Sequence, residues 1–469
     1  MKVFNNLTNK LEDFKNLKED LVHIYSCGPT VYDDSHIGHA RSAITWDLLA
    51  RYLRYKGYKV NWIRNITNVD DKIINRAKEL NISPDTLSRK YTYEFWADMS
   101  ALNVSWPDFE PRATDYIDEM IEFIQGLMDK GAAYEVEGDV YFRIKCHKDY
   151  GQLKKQSIEQ LKEGHGRIEE NSKKEDQLDF ALWKAFPDDK ETSFKSPWGY
   201  GRPGWHLECS TMIKSILEKH DMNTLDIHSG GDDLIFPHHE NECAQSECLT
   251  GEALAKYWMH NGMVMVNGTK MSKSLNNYMT IKDTLAKFSP NTIRYFCLAT
   301  HYKRQINFTN EALQSAENGF KKLLNSLSQR LQYIKEEAVN LEASEIEKQF
   351  KDSLDQSLIK EFEKFMDNDL SSPQALALLF EKSQDEKSKD TIIYLLSILG
   401  FNLETQTSSN TQKLEAMDAI VSQLLEIREQ ARANKDFATS DKIRDQLQAA
   451  GISIKDYRDK ASEWSFSDV

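Results

Sequence analysis

Residues 21–64 constrain the fold more than any other stretch. "LVHIYSCG" is a short apolar, β-favouring run, "IGHARSAITWDLLARYLRYKGY" has helical periodicity and stops at Gly57, and "YKVNWIRNIT" returns to a strand pattern. Strand, helix and strand in that order make a βαβ unit. Ile44, Leu48, Leu49 and Leu53 fall near helical spacing and would face the sheet, with Arg51 and Arg54 pointing elsewhere. The loop before the helix, "CGPTVYDDSHIGHA", then lies at the carboxyl end of a strand, where open parallel sheets bind their ligands.

The same texture returns over 203–300, in "TLDIHSGGDDLIFPHHENECAQSE" and "YWMHNGMVMVNGTKMSKSLNN". The expected fold class is therefore α/β, a parallel-sheet domain in two halves, 1–90 and 201–308, separated by an insertion at 91–200. The insertion carries a helical stretch, "TDYIDEMIEFIQGLMDKG", a strand pair around "AAYEVEGDVYFRI", and a Lys/Glu-rich segment that reads as a solvated loop. From Thr309, a candidate N-cap, Leu313, Ala316, Phe320, Leu323, Leu327, Leu331 and Ile334 recur three or four apart, which predicts an α-helical bundle over 309–401. The polar, Ser/Thr-rich segment 402–412 reads as a linker, and 413–469 as a small unit of helices with a short strand, "ISIKD".

The net charge of -14 argues against a protein that coats nucleic acid indiscriminately, while leaving room for a local basic face. No uncharged run is long enough to cross a bilayer, and the opening "MKVFNNLTNKLEDF" lacks the pattern of a signal peptide, so a cytoplasmic location is expected. The six cysteines are scattered without the tight spacing of a disulfide framework, so each is read as a free thiol or a metal ligand.

Two short motifs carry the chemistry. "HIGH", at His36 to His39, opens a helix, where free amide protons, the positive dipole end, two imidazoles and a small Gly38 suit a polyphosphate lying close to the backbone. "KMSKS", at Lys270 to Ser274, sits in a Gly- and Asn-flanked turn, where Lys270 and Lys273 could close over phosphates. In this order and context the pair resembles a class I aminoacyl-tRNA synthetase. The resemblance implies a Rossmann-type catalytic domain that activates an amino acid with ATP and transfers it to the terminal ribose of a tRNA. His36, Gly38 and His39 would hold ATP, and Lys270 and Lys273 would neutralise charge on the leaving pyrophosphate. Mg²⁺ is expected with ATP, though no residue marks its site.

Cys27, Cys209, His238 and Glu242 offer two thiolates, an imidazole and a carboxylate, a plausible tetrahedral zinc set. Pro237 suits a first helical position, placing His238 and Glu242 on one face of the helix it opens. Spacing alone leaves His239, Glu240 and Cys243 as competing ligands. "YSCGPTVYDDSHIGHARS", "NITNVDDKI", "SPWGYGRPGWHLECS" and "FPHHENECAQS" are similar to cysteinyl-tRNA synthetases, and the likeness runs over essentially the whole chain. It implies L-cysteine, ATP and tRNA(Cys) as substrates, a monomer, and one Zn²⁺ on Cys27, Cys209, His238 and Glu242. It further implies a pocket completed by Gly28, Thr67 and Trp205, Asp233 facing the amino group, His206 and His228 behind the zinc ligands, and Arg432, Phe437 and Asp441 in a C-terminal anticodon-binding domain.

The chemistry agrees with that assignment: zinc prefers a soft thiolate to the neutral hydroxyl of serine, so no editing site is expected. Two departures from the family pattern stand out, Ser229 in "SGGDD" and Asn68 in "NITNVDD". A relative that hands cysteine to an amino-sugar lacks the anticodon-binding unit. A non-catalytic descendant could lose the histidines and lysines that this chain retains.

Overall fold

The computed structural model describes residues 1–164, 173–186, 192–271, 277–336, 348, 353–403, 421–432, 436–449, 452–455 and 463–466. The chain divides into two units, Met1–Phe401 and Asn402–Val469.

In the first unit an N-terminal hairpin, β1 (Lys2–Asn5) and β2 (Lys10–Asp13), precedes β3 (Leu21–Ser26), α1 (Ile37–Tyr55) and β4 (Lys59–Arg64). Helices α2 (Asp71–Leu80) and α3 (Pro84–Ala101) follow, the latter capped by the Ser83 hydroxyl with Pro84 in its first turn. The insertion comprises α4 (Ile117–Asp129), β5 (Ala133–Val136), β6 (Asp139–Phe142), α5 (Ile158–Gly164), β7 (Phe180–Ala185), β8 (Phe194–Ser196) and β9 (Gly199–Pro203). Its strands form one antiparallel sheet in the order β5-β6-β7-β9-β8.

The chain then re-enters the parallel sheet through α6 (Trp205–Glu218), β10 (Leu225–Gly231), α7 (Glu240–Thr250) and β11 (Ala255–Asn261), and the short helix α8 (Ile281–Leu285) follows. The order β11-β10-β3-β4 is parallel throughout, so the Rossmann-type arrangement is assembled from two halves of the sequence. The inner strands β10 and β3 are buried almost end to end, as strands covered by helices on both faces must be. Ile24, Tyr25 and Ser26 lie opposite Ile227, His228 and Ser229, which fixes where the two strand tips emerge together.

α1 departs from the amphipathic reading. Ile44, Leu48, Leu49 and Leu53 are buried as expected, but so are Arg41, Thr45, Asp47 and Tyr52 on the other faces. The helix is covered twice, by the sheet and by the helices that follow it. Asp47 accepts from Arg51 and from the fully buried Arg294 of α9 (Pro290–Leu298). The Tyr52 hydroxyl reaches Asp367. The bundle consists of α10 (Asn310–Glu336) and helices at Gln356–Met366, Ser372–Lys382 and Lys389–Ile398. Thr309 caps the first through its hydroxyl to the Ala312 amide. Leu313, Ala316, Phe320, Leu323, Leu327 and Leu331 are buried, and the side chain of Ile334 lies outside the described residues.

The second unit has helices at 421–432 and Phe437–Ala449 and a hairpin of Ile452–Lys455 with Glu463–Phe466. Val421, Leu425, Ile443, Leu447 and Ile452 form its core. Apart from Asn402 and Leu403, the expected linker 402–412 lies outside the described residues.

Candidate active site and metal centre

At the carboxyl ends of β3, β4, β10 and β11 lies a cavity of about 370 Å³. Cys27, Gly28 and Trp205 line one part, His36, Gly38, His39 and Lys270 another, and Asp233 and Gly262 a third. The thiol of the first strand and the helix N-terminus ten residues later therefore open into one space. Gly28 is obligatory there, because a Cβ would lie 1.7 Å from the Asn65 carbonyl oxygen.

His36 is the N-cap of α1, and His39 completes a reciprocal cap. The Gly38 N–H donates to His36 Nδ1 (3.0 Å) and the His36 N–H donates to His39 Nδ1 (3.2 Å). With both Nδ1 atoms acting as acceptors, the proton of each neutral ring sits on Nε2. The rings stack at 3.8 Å, and burial holds His36 down to about 4 and His39 well below its ordinary value, with His36 adding to the effect. These imidazoles offer phosphate oxygens neutral N–H donors; positive charge must come from elsewhere. Lys270 is exposed in the two-residue strand Thr269–Lys270, while Lys273 lies outside the described residues.

The far side of that loop is stitched to the cap. Ile37 N–H donates to the Met279 carbonyl and Ile281 N–H to that of Ser35, and Tyr278 sets its ring edge-on to His36 with its hydroxyl on the Asp34 carbonyl. The sequence reading missed Tyr278; its place just after the lysine loop was the available signal.

The metal-ligand candidates meet. Cys27 Sγ lies 3.9 Å from Cys209 Sγ, 3.6 Å from His238 Nε2 and 3.6 Å from Glu242 Oε1. Cys209 Sγ is 3.7 Å from His238 Nε2, and His238 Nε2 is 2.8 Å from Glu242 Oε1. Tetrahedral zinc with bonds of about 2.3 Å to sulfur and 2.0–2.1 Å to nitrogen or oxygen has ligand–ligand edges of about 3.3–3.8 Å. The five edges among these donors lie close to those values, the His238–Glu242 contact being the short one.

The four groups also shift one another's ionisation. Burial and the hydrogen bond with Cys209 push the Cys27 thiol well up, while Cys209 itself, held by that bond against the cost of burial, falls to about 6. Burial opposes ionisation of both His238 and Glu242, yet their mutual attraction outweighs it. His238 is raised to about 10 and Glu242 sits well below the usual carboxylate range.

The surrounding side chains fix the ligands' orientation. His206 Nδ1 meets His238 Nδ1 at 3.0 Å, aiming the other nitrogen of His238 at the thiols, and Trp205 stacks on the same ring at 4.1 Å. His228 Nε2 bonds Glu242 Oε2 at 2.7 Å. His239, a competitor in the sequence, brings Nε2 to 3.3 Å from Cys27 Sγ, and with Cys27, His238 and Glu242 it forms a group whose donor atoms all lie within 4.8 Å of one another. Its other nitrogen meets His260, which the sequence reading did not single out. Donor chemistry favours Cys209 over His239 as the fourth ligand, since a second thiolate is the softer partner for zinc. Glu240 and Cys243 point elsewhere: Glu240 accepts from the amides of Gly151, Leu153 and Lys154, and Cys243 donates to Glu247.

Pro237 does not open an α-helix. The Phe236–Pro237 peptide is cis, the segment Ile235–His239 is a π-helical turn, and α7 begins at Glu240. The four-residue spacing of His238 and Glu242 still places them side by side across that junction. Thr67 stands behind the cavity wall, buried, with its hydroxyl donating to Glu208 and accepting from Asn65. Asn68 clamps Thr114, its carbonyl accepting from the Thr114 amide and its NH₂ donating to the hydroxyl.

In the second unit Phe437 is 61% exposed and takes no part in the core, so it is available as a surface aromatic. Arg432 and Asp441 are exposed as well, Asp441 paired with Arg444 at 3.3 Å.

Residues 13–318 match the family model described as tRNA synthetases class I (C) catalytic domain, and residues 414–464 match Cysteinyl-tRNA ligase anticodon binding domain. A Cysteine–tRNA ligase of Finegoldia magna is 43% identical over 472 residues, covering 98% of each chain. One of Bacillus licheniformis is 41% identical over 469 residues, covering 97% of each. Among solved structures, Mycobacterium tuberculosis methionyl-tRNA synthetase in complex with methionyl-adenylate matches 81% of this chain and 88% of its own with a TM-score of 0.58. At 16% identity that is a likeness of fold.

Proposed function

Because the chain belongs to the cysteinyl-tRNA synthetase family and so charges tRNA with cysteine, we propose that this cavity performs both steps of that charging. In the first, the carboxylate of L-cysteine attacks the α-phosphorus of ATP, forming the P–O bond of cysteinyl-adenylate as the bond to pyrophosphate breaks. The nucleophile is already ionised, so no general base is needed; the protein positions the reactants and stabilises charge. The Nε2–H groups of His36 and His39 donate to phosphate oxygens, and Gly38 lets the chain come close. Lys270, with Lys273, neutralises the departing pyrophosphate. In the second step the adenylate's carbonyl is taken by a hydroxyl of the 3′-terminal ribose of tRNA(Cys), releasing AMP.

Cys27, Cys209, His238 and Glu242 would hold Zn²⁺, with His206 and His228 orienting the last two. When bound, zinc supplies a Lewis-acidic centre that takes a thiolate in preference to a hydroxyl, which discriminates against serine without an editing site. Gly28 and Trp205 shape the pocket and Asp233 faces the substrate's ammonium. Thr67 acts from behind the wall through Glu208. Arg432, Phe437 and Asp441 read the anticodon, where an exposed aromatic suits stacking on an unpaired base. The enzyme works as a cytoplasmic monomer, and no helix among the described residues is long and apolar enough to cross a membrane.

The observation that carries this reading is the shared cavity, which joins the thiol–imidazole–carboxylate cluster to the His36/His39 helix end. The test is ATP–pyrophosphate exchange with cysteine, serine or methionine, with zinc quantified in the same preparation. Exchange with cysteine alone and about one zinc per chain, as a closed ligand set requires, supports it. Equal exchange with serine in zinc-loaded protein overturns the thiol-sensing mechanism.

A further inference from the structure

Among the described residues, one exposed patch is made of large aromatic side chains. Tyr93 (63% exposed) and Trp96 project from α3, and Trp106 (59% exposed) from the loop after it. Trp96 lies at the centre, edge-to-face with Tyr93 at 5.4 Å and with Trp106 at 5.6 Å. The Arg112 guanidinium stands 5.8 Å from the Trp96 ring centre. The acids beside the patch are already paired, Asp108 with Arg54 and Glu110 with Arg64. Arg112 makes no ion pair among the described residues, so its charge is open to a partner.

The patch is linked to the cavity wall. Phe109–Arg112 runs beside the tip of β4, with parallel bridges from Ile63 to Phe109 and from Ile66 to Arg112. Glu110 joins the two sides, accepting from Trp96 Nε1–H on the surface and from Arg64, which lines the cavity with Trp62 and Phe95. Exposed aromatic faces with a free guanidinium match an unpaired nucleotide, which stacks through its base and pairs through its phosphate. An RNA whose terminal ribose must reach this cavity brings such nucleotides to its rim.

We propose that Tyr93, Trp96, Trp106 and Arg112 form a stacking platform for an unpaired nucleotide of the tRNA 3′ end. The inference rests on tRNA being the acceptor, so the first arm of the test is cysteine charging by the parent enzyme. If the parent fails to charge tRNA(Cys), it is that reading that fails. Given charging, Trp106→Ala and Tyr93→Ala are compared with the parent in cysteine-dependent ATP–pyrophosphate exchange and in tRNA aminoacylation. Loss of one stacked base raises the KM for tRNA about 5- to 100-fold, with exchange unchanged because neither ring touches the activation site. Trp106→Phe should restore most of the loss.

A tRNA lacking its unpaired 3′ nucleotides, used as a competitive inhibitor, should bind parent and variants equally. An unchanged KM in both alanine variants overturns the platform. So does an inhibition constant for the shortened tRNA that rises with the KM, or a change in oligomeric state, which would assign the patch to a protein partner.

Discussion

Replacing Asp47 by asparagine tests what holds α1 in place. Its carboxylate is fully buried on α1 and accepts from Arg51 Nε (2.9 Å), Arg294 Nη2 (2.8 Å) and the Ser105 amide (2.9 Å). Arg294, equally buried, also donates to the Leu399, Leu102 and Asn103 carbonyls, so one ion pair ties α1 to three chain segments. Burial raises the carboxyl's proton affinity, but Arg51 and Arg294 outweigh it and bring Asp47 from 3.8 to about 2. At 1.36 kcal/mol for each tenfold change in affinity, that difference is worth about 2 kcal/mol. Because the native value is the lower one, the contribution is fully present above pH 4 and is lost as pH falls toward 2. Asp47→Asn costs more, about 3–5 kcal/mol, because it also strands the Arg294 charge in the core. Native-state hydrogen exchange of the α1 amides reads this cost segment by segment, and protection should fall by about two to four decades at pH 7. A loss under about 1 kcal/mol would refute the reasoning, as would a decline between pH 4 and 2 that is no smaller in the asparagine variant than in the parent.

In Gly38→Ala the new Cβ would lie 2.7 Å from His36 Cε1 and 2.8 Å from Nδ1, forcing the ring off its cap; exchange should fall about 100-fold while zinc content holds. Cys209→Ser should lower the zinc content and the preference for cysteine over serine, whereas His239→Asn should keep the zinc; the opposite pattern would make His239 the fourth ligand. Since burial holds His36 down to about 4 and His39 well below its ordinary value, both are uncharged at neutral pH. The pH profile of kcat/KM for ATP should therefore carry no inflection between pH 6 and 8 that disappears in His36→Asn.

The sequence made the strand–turn–helix at 21–55 readable because local periodicity and the glycine stops agree. It left the outer faces of α1 unread, since periodicity alone says nothing of how the polar residues Arg41, Thr45 and Asp47 are satisfied. The structure instead satisfies them internally, Arg41 on the carbonyls at the end of α9 and Asp47 on two arginines. Burial of that kind depends on a helix 247 positions away and leaves no local trace. The metal cluster was named through motif likeness; the backbone supplies the reason that its members meet. β3 and β10 pair so that Cys27 continues past Ser26, its amide donating to the Ser229 carbonyl, while α6 delivers Cys209 from the start of its second turn and α7 delivers Glu242 from its first.

Ser229 has a structural role at the same strand tips. Trp62 Nε1–H can only donate, and it donates to Ser26 Oγ at 3.0 Å. The Ser229 hydroxyl donates to the Tyr25 carbonyl, so the 2.8 Å contact between the two serines carries the Ser26 proton toward Ser229. Trp62, Ser26, Ser229 and Tyr25 thus form a directed chain across β4, β3 and β10, with every hydrogen assigned. Trp62 and Ser26 line the cavity, and Cys27 is the next residue along. A glycine at 229 would leave the buried Ser26 hydroxyl without its acceptor, a cost of about 1–3 kcal/mol. Residues 26 and 229 are thus coupled through one buried hydrogen bond.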